Sequence, residues 1–261
     1  MQQHLARFAF AFSMRNLKLV LAYDGTDFCG WQVQPDAPSI QGTLASAIGR
    51  ITGENVLPQG SGRTDAGVHA LAQVATFPTQ SVIPAPNLAV ALNDILPPAI
   101  RILECVEVPA NFHARKSALF KTYRYRIYRN AICPPFLARY VWHYPYPMNF
   151  DAIERAAPFI EGERDFSSFA AVDPEKDRDE KDCTRRILSS RWRREGEEFV
   201  YEVRGNGFLH HMVRNLVGTF VLAGKGTIQP EDIATILEAK NRSAAGATAP
   251  ASGLYLVHVE Y

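Results

Sequence analysis

The chain has 261 residues, 47% hydrophobic and 21% charged, with a formal net charge of +1. At roughly 150 residues per domain this is one large domain or two halves around a cleft, and the globular composition excludes wholesale disorder. No apolar run approaches the ~18 residues of a membrane-spanning helix, and the N-terminal HLARFAFAF is too short for a signal peptide, so a cytoplasmic location is expected. Met14 is an alternative start. Cys29, Cys105, Cys133 and Cys183 form no CxxC pair and the seven histidines show no ligand spacing with them, so neither a zinc site nor a disulfide framework is expected.

In chain order, KLVLAYDG (18–25) alternates as a strand ending in a turn. Ser39 caps a helix carrying Ile40, Leu44, Ile48 and Ile51 at helical spacing, and Gly53 stops it. VLPQG leads into the glycine-bracketed GSGRTDAGVHA, and QVATF reads as the next strand. A helix over Asn87 to Leu96 ends before Pro97-Pro98. ILECVEV and KTYRYRIYR alternate as strands. In the latter, Lys121, Tyr123, Tyr125 and Ile127 share one face, and Arg124, Arg126 and Tyr128 the other. HYPYPMNF suggests a boundary. A helix follows over Asp151 to Gly162, then the charged loop VDPEKDRDEKD, read as solvated, and a hairpin of RILSSRWRR and EFVYEVRG around Glu195-Gly196. FLHHMVRNLVGTFVLAGKG reads as an apolar helix with Leu209, Val213, Leu216 and Phe220 on one stripe and Gly224 as its C-cap. Pro230 opens another helix, and LYLVHVEY is the last strand. Two comparable halves of strands and helices predict an α+β sandwich with a central sheet.

Charge is unevenly placed. Residues 108–150 hold Arg115, Lys116, Lys121, Arg124, Arg126, Arg129 and Arg139, no acid, and eleven of the 28 aromatics. Guanidinium groups neutralise phosphates and flat rings stack on unpaired bases, so the segment suits RNA. A half-buried strand with a basic solvent face accounts for the same residues.

GSGRTDAGVHA is the most unusual local sequence. Gly60, Gly62 and Gly67 flank Arg63, Thr64 and Asp65, a loop that can display a carboxylate beside a guanidinium, as a nucleophile or electrostatic stabiliser would require. An Asx-type turn in a hairpin explains it too. Arg214, beside the apolar stripe of its helix, needs a carboxylate partner or snorkels at the stripe's edge. His210 and His211 read as helix-end or core histidines. No nucleotide-hydrolase, serine-esterase or zincin motif occurs.

With these residues assembled, GRTDAGVHA resembles the active-site loop of the TruA-type tRNA pseudouridine synthases. YDGTDFCGWQ, SIQGTLASAI, NFHARKSALFKTYRYRIY, DFSSF, FLHHMVRNLVG and SGLYLV follow in the family's order, so the resemblance covers roughly residues 17–261. It implies two ferredoxin-like α/β halves forming a continuous, mainly antiparallel sheet, with helices on one side and a central RNA-binding cleft. The expected division is an extension over 1–16, a half over 17–110 bearing the Asp loop, and a half over 111–261. By the same resemblance Asp65 is the catalytic aspartate, Tyr123 packs on the target base, Arg214 pairs with Asp65, and Leu254 lines the uracil pocket. Arg63, Phe112, His113 and Arg115 would contact RNA. The implied activity is isomerisation of uridines 38, 39 and 40 in the tRNA anticodon stem-loop by a homodimer, with no cofactor or metal and no membrane partner. The longer, acidic VDPEKDRDEKD loop departs from the family pattern, as does SVIP, where some relatives carry a basic residue. A non-catalytic RNA-binding or RNA-folding protein is the competing class, and a nucleoside hydrolase is a third.

Overall fold

The computed structural model describes residues 14–171 and 182–261. The expected N-terminal extension therefore lies outside the described residues up to residue 13, as does nearly all of the charged loop.

The elements run β1 (Arg15–Tyr23), α1 (Ile40–Thr52), β2 (Gln59–Gly60), β3 (His69–Thr79), α2 (Ala85–Ile95), β4 (Ile100–Val108) and β5 (Phe120–Tyr128). They continue with α3 (Pro135–Ala138), β6 (Trp142–His143), α4 (Phe150–Ala156), β7 (Gly162–Asp165), β8 (Thr184–Glu195) and β9 (Glu198–Gly205). Last come α5 (Met212–Gly224), α6 (Asp232–Glu238) and β10 (Leu254–Glu260). All ten strands join one sheet in the order β4-β1-β3-β10-β5-β9-β8-β7, with β2 on β3 and β6 on β5. Most pairs are antiparallel. The exceptions are β5 with β6 and, at the middle of the sheet, β3 with β10, where Tyr255 lies opposite His69. This parallel seam brings the starts of β3 and β10 to the same end, so the loops preceding both strands meet there.

Period-two burial sets the two faces. Leu17, Leu19, Leu21 and Tyr23 of β1 and Tyr123, Tyr125 and Ile127 of β5 are buried in a core shared with Ile40, Leu44 and Ile48 of α1 and Leu216, Val217 and Phe220 of α5. The opposite face is laced by ion pairs: Lys18–Glu104 at 3.4 Å, Arg124–Glu202 at 3.1 Å and Arg126–Glu198 at 2.6 Å. Such partly exposed pairs contribute about 0–1 kcal/mol each. The arginines of the basic strand are thus matched to glutamates of β9 and belong to a solvent face.

Local signals behave as read at α1. Ser39 Oγ accepts the Gly42 N–H, and Gly53 closes the helix with a left-handed φ of 75°. Two boundaries differ from expectation. The helix expected to Gly162 leaves α geometry at Ala156 and continues as a 3₁₀ turn over Ala157–Ile160, because Pro158 has no N–H to extend the ladder. In α5, His211 adopts φ 58° and delays the start to Met212, leaving Leu209 outside. Gly224 is the last helical residue and not a left-handed cap. A Cβ there would come within 2.5 Å of Met148, so it is a packing glycine against α4.

Candidate active site

Asp65 sits in a turn held from both sides. The Val68 N–H donates to the Asp65 carbonyl at 3.1 Å, and Gly67 supplies the positive φ (76°) that this turn position favours. On the other side, the Trp31 N–H donates to the Thr64 carbonyl at 3.0 Å, and Thr64 Oγ1 lies 2.9 Å from the Tyr23 hydroxyl. The loop is a hairpin turn, as one reading of it expected, and the turn displays the Asp65 carboxylate.

Arg214, in the first turn of α5, meets it across the seam. Its Nη1 donates to Asp65 Oδ2 at 2.8 Å and its Nε to the Ala249 carbonyl at 2.8 Å, while the Ala249 N–H donates back to the Arg214 carbonyl at 3.1 Å. The two side chains are 19% and 15% exposed, dry enough for the contact to fix orientation. Behind them, Asn215 Oδ1 accepts from Thr248 Oγ1 (2.7 Å) and Arg242 Nη2 (3.0 Å), and its Nδ2 donates to the Phe169 carbonyl (2.7 Å). This buried amide ties the loop before β10 and the DFSSF segment to α5, so Arg214 is aimed by main chain as well as by charge.

The two histidines set aside as helix-end residues also reach the carboxylate. His211 Nε2 is 3.4 Å from Asp65 Oδ2, His210 Nε2 is 3.7 Å from Oδ1, and the imidazoles are tilted by 40° with centroids 3.9 Å apart. Burial holds the His211 pKa below the usual histidine value. Asp65 opposes the shift, and the charges of His210, Arg214 and Arg242 reinforce it. The signal for His211 was in the sequence: it precedes Arg214 by three residues.

Tyr123 is buried on the face of the sheet that carries Tyr23, with its ring edge-on to Phe208 at 4.9 Å. Burial raises its ionisation well above the ordinary phenol range, and Tyr23 and Asp65 push the same way, so it is a neutral ring at physiological pH. Leu254 opens β10 opposite Tyr125, buried on the same face. Two residues before Tyr123, Lys121 Nζ donates to the Ser61 carbonyl at 2.6 Å. Burial, with the charges of Arg115 and Arg185, pushes the Lys121 pKa down to about 8. Sequence reading placed Lys121 on the right face but gave it no role.

The structure thus brings Asp65, Arg214 and Tyr123 together, with Leu254 on the adjoining strand. Arg63 is exposed on the same loop, and Arg115 is exposed beside Lys121. Phe112 packs on Tyr261 with centroids 4.8 Å apart, and His113 Nδ1 accepts the Arg115 N–H at 3.1 Å. They shape the turn that presents Arg115.

The chain that carries this carboxylate, guanidinium and buried tyrosine matches a known family. A family model described as tRNA pseudouridine synthase matches residues 19–115 and 156–261. The chain belongs to the tRNA pseudouridine synthase family. Among curated relatives named tRNA pseudouridine synthase A, that of Solibacter usitatus is 51% identical over 95% of this chain and all of its own length. Those of Caldicellulosiruptor bescii and Moorella thermoacetica are each 46% identical, over 95% and 94% of this chain and 100% and 99% of their own. Among solved structures, a chain of a Cbf5-Nop10-Gar1 complex overlaps 92% of this chain and 57% of its own, with a TM-score of 0.35 and 12% identity, a likeness too distant to bear on the chemistry. The synthase is an isomerase on the pseudouridine synthase fold. Among its described residues no helix is long and apolar enough to cross a membrane.

Proposed function

We propose that this synthase isomerises uridines 38, 39 and 40 in the anticodon stem-loop of tRNA, with Asp65 as the catalytic carboxylate and no cofactor, as a cytoplasmic homodimer. The observation that carries the reading is the 2.8 Å contact between Asp65 and Arg214, made across the central seam beside a buried neutral tyrosine. In the reaction the bond between N1 and C1′ breaks, the uracil turns, and C5 bonds to C1′; the C5 proton leaves and N1 gains one, so substrate and product are isomers. Asp65 either attacks C1′ or takes the 2′ proton, and both routes need a charged oxygen held at a fixed angle. Arg214 fixes that angle through two of its nitrogens. Tyr123 and Leu254 confine the detached base so that it turns and does not escape. Arg63 fills the gap left by the everted nucleotide, whose unstacking costs a few kcal/mol.

Tritium release from C5-labelled uridine in unmodified anticodon-arm RNA tests this directly. The synthase should release tritium and retain the base in the polymer. A non-catalytic RNA binder would release none, and a nucleoside hydrolase would free uracil.

Two predictions concern the cationic margin. Arg115→Ala should weaken RNA binding and reduce the slope of log Kd against log salt by roughly one, as expected for one lost phosphate contact. Binding isotherms over a salt series check this, and an unchanged slope removes Arg115 from the interface. For Lys121, a phosphate brought near would raise the pKa from about 8. RNA binding should therefore take up a proton just above that pH, and affinity should fall as pH rises through it. Calorimetry in two buffers of different ionisation enthalpy reads the uptake. Zero uptake would place the backbone away from Lys121.

A further inference from the structure

We propose that Asp65, His210 and His211 form a binding site for a borderline divalent cation of the zinc type, and that its occupancy shuts the synthase off. Among the described residues the two histidines bring one imidazole nitrogen each and Asp65 a carboxylate oxygen, all within 4.8 Å of one another. Two ligands on a tetrahedral zinc ion, each about 2.05 Å from the metal, stand about 3.4 Å apart. His210 Nε2 stands 3.7 Å from Oδ1, near that spacing, and His211 Nε2 stands 3.4 Å from the neighbouring Oδ2, so side-chain rotation must bring His211 towards Oδ1. The His210 and His211 side chains are 35% and 28% exposed, which leaves an open side for entry and for a fourth, solvent ligand. Two imidazoles and one carboxylate suit Zn²⁺, Ni²⁺ or Cu²⁺, whereas Mg²⁺ and Ca²⁺ favour oxygen.

Arg214 sets the strength. Its guanidinium lies 2.8 Å from Oδ2, so the ion takes Oδ1 and is repelled by a fixed cation nearby. The site therefore binds more weakly than a structural zinc, and reversibly. Shutting the enzyme off rests on the reading of Asp65 as the attacking group: an ion on that carboxylate neutralises it and occupies the place of the ribose. Binding itself does not depend on that reading.

The test uses the full chain titrated with CoCl₂, whose visible bands report tetrahedral coordination, followed by competition with ZnCl₂. One equivalent should bind, and the His210→Gln, His211→Gln double variant, checked for an unchanged melting curve, should bind about tenfold or more weakly. Zinc should slow tritium release by the parent, EDTA should restore it, and the double variant should keep its own zinc-free rate at the same concentration. Equal affinity in the double variant, or no binding by the parent, overturns the site. Binding lost in the double variant but without any slowing of the parent upholds the site and counts against both the shut-off and Asp65 as the attacking group.

Discussion

Asp65→Asn is expected to lower isomerisation by about four orders of magnitude or more, the scale on which catalysis fails when a nucleophile is removed. Asparagine is nearly isosteric and keeps an oxygen for Arg214 Nη1, so the loop, anchored through Thr64, Tyr23 and Val68, should hold its shape. What is lost is the negative charge. Arg214 is left with a carbonyl dipole and the Ala249 carbonyl, at a cost of about 1–3 kcal/mol in stability for a partly buried cation without its counter-ion. RNA affinity should stay within a few-fold of the parent and lean towards tighter binding, because the variant removes a charge that repels phosphate. Tritium release, a melting curve and an RNA-binding isotherm separate these effects. Turnover near the parent rate would remove Asp65 from the chemistry, whatever the ion pair does.

The second large effect concerns a residue that touches no substrate. In an exposed helix, exchanging glycine for alanine gains roughly 0.5–1 kcal/mol. At Gly218, near the middle of α5, the sign should reverse. A Cβ there would lie 1.8 Å from the Ala247 carbonyl oxygen, and the obstruction is backbone and not a side chain that can swing away. The loop must retreat, and two residues on it carries the Ala249 carbonyl that accepts from Arg214 Nε. Gly218→Ala should therefore cost roughly 1–3 kcal/mol, at the upper end of what overpacking does, and reduce turnover by loosening the aim of Arg214. For a chain of this length that is a drop of about 3–10 °C in Tm. A variant as stable as its parent would show that the loop at Ala247 moves freely.

Sequence reading succeeded where the physics is local. The Ser39 and Gly53 caps, the alternation of KTYRYRIYR and the hairpin at Glu195-Gly196 each depend on residues a few positions apart, and each element formed as read. It left open what depends on distant partners. Arg124 and Arg126 fitted either phosphate contacts or a basic solvent face, and the solvent face is what Glu202 and Glu198, more than seventy residues further along the chain, provide for. The start of α5 turns on the left-handed His211, whose side chain lies 3.4 Å from Asp65, a residue 146 positions earlier in the chain. The ordered motifs pointed to Asp65, Tyr123 and Arg214, but could not show the half-buried Lys121 bonded to the Ser61 carbonyl or Asn215 wiring α5 to the segment before β10.

The seam between β3 and β10 also bears on synthesis. The strand that comes tenth in the chain takes a place fourth in the row, so a chain lacking it can pair its strands only as two incomplete sheets, with β3 and β5 left partly open. Neither half holds all of the candidate site, since β10 with Leu254 is the strand that joins them, and premature termination would yield adhesive fragments.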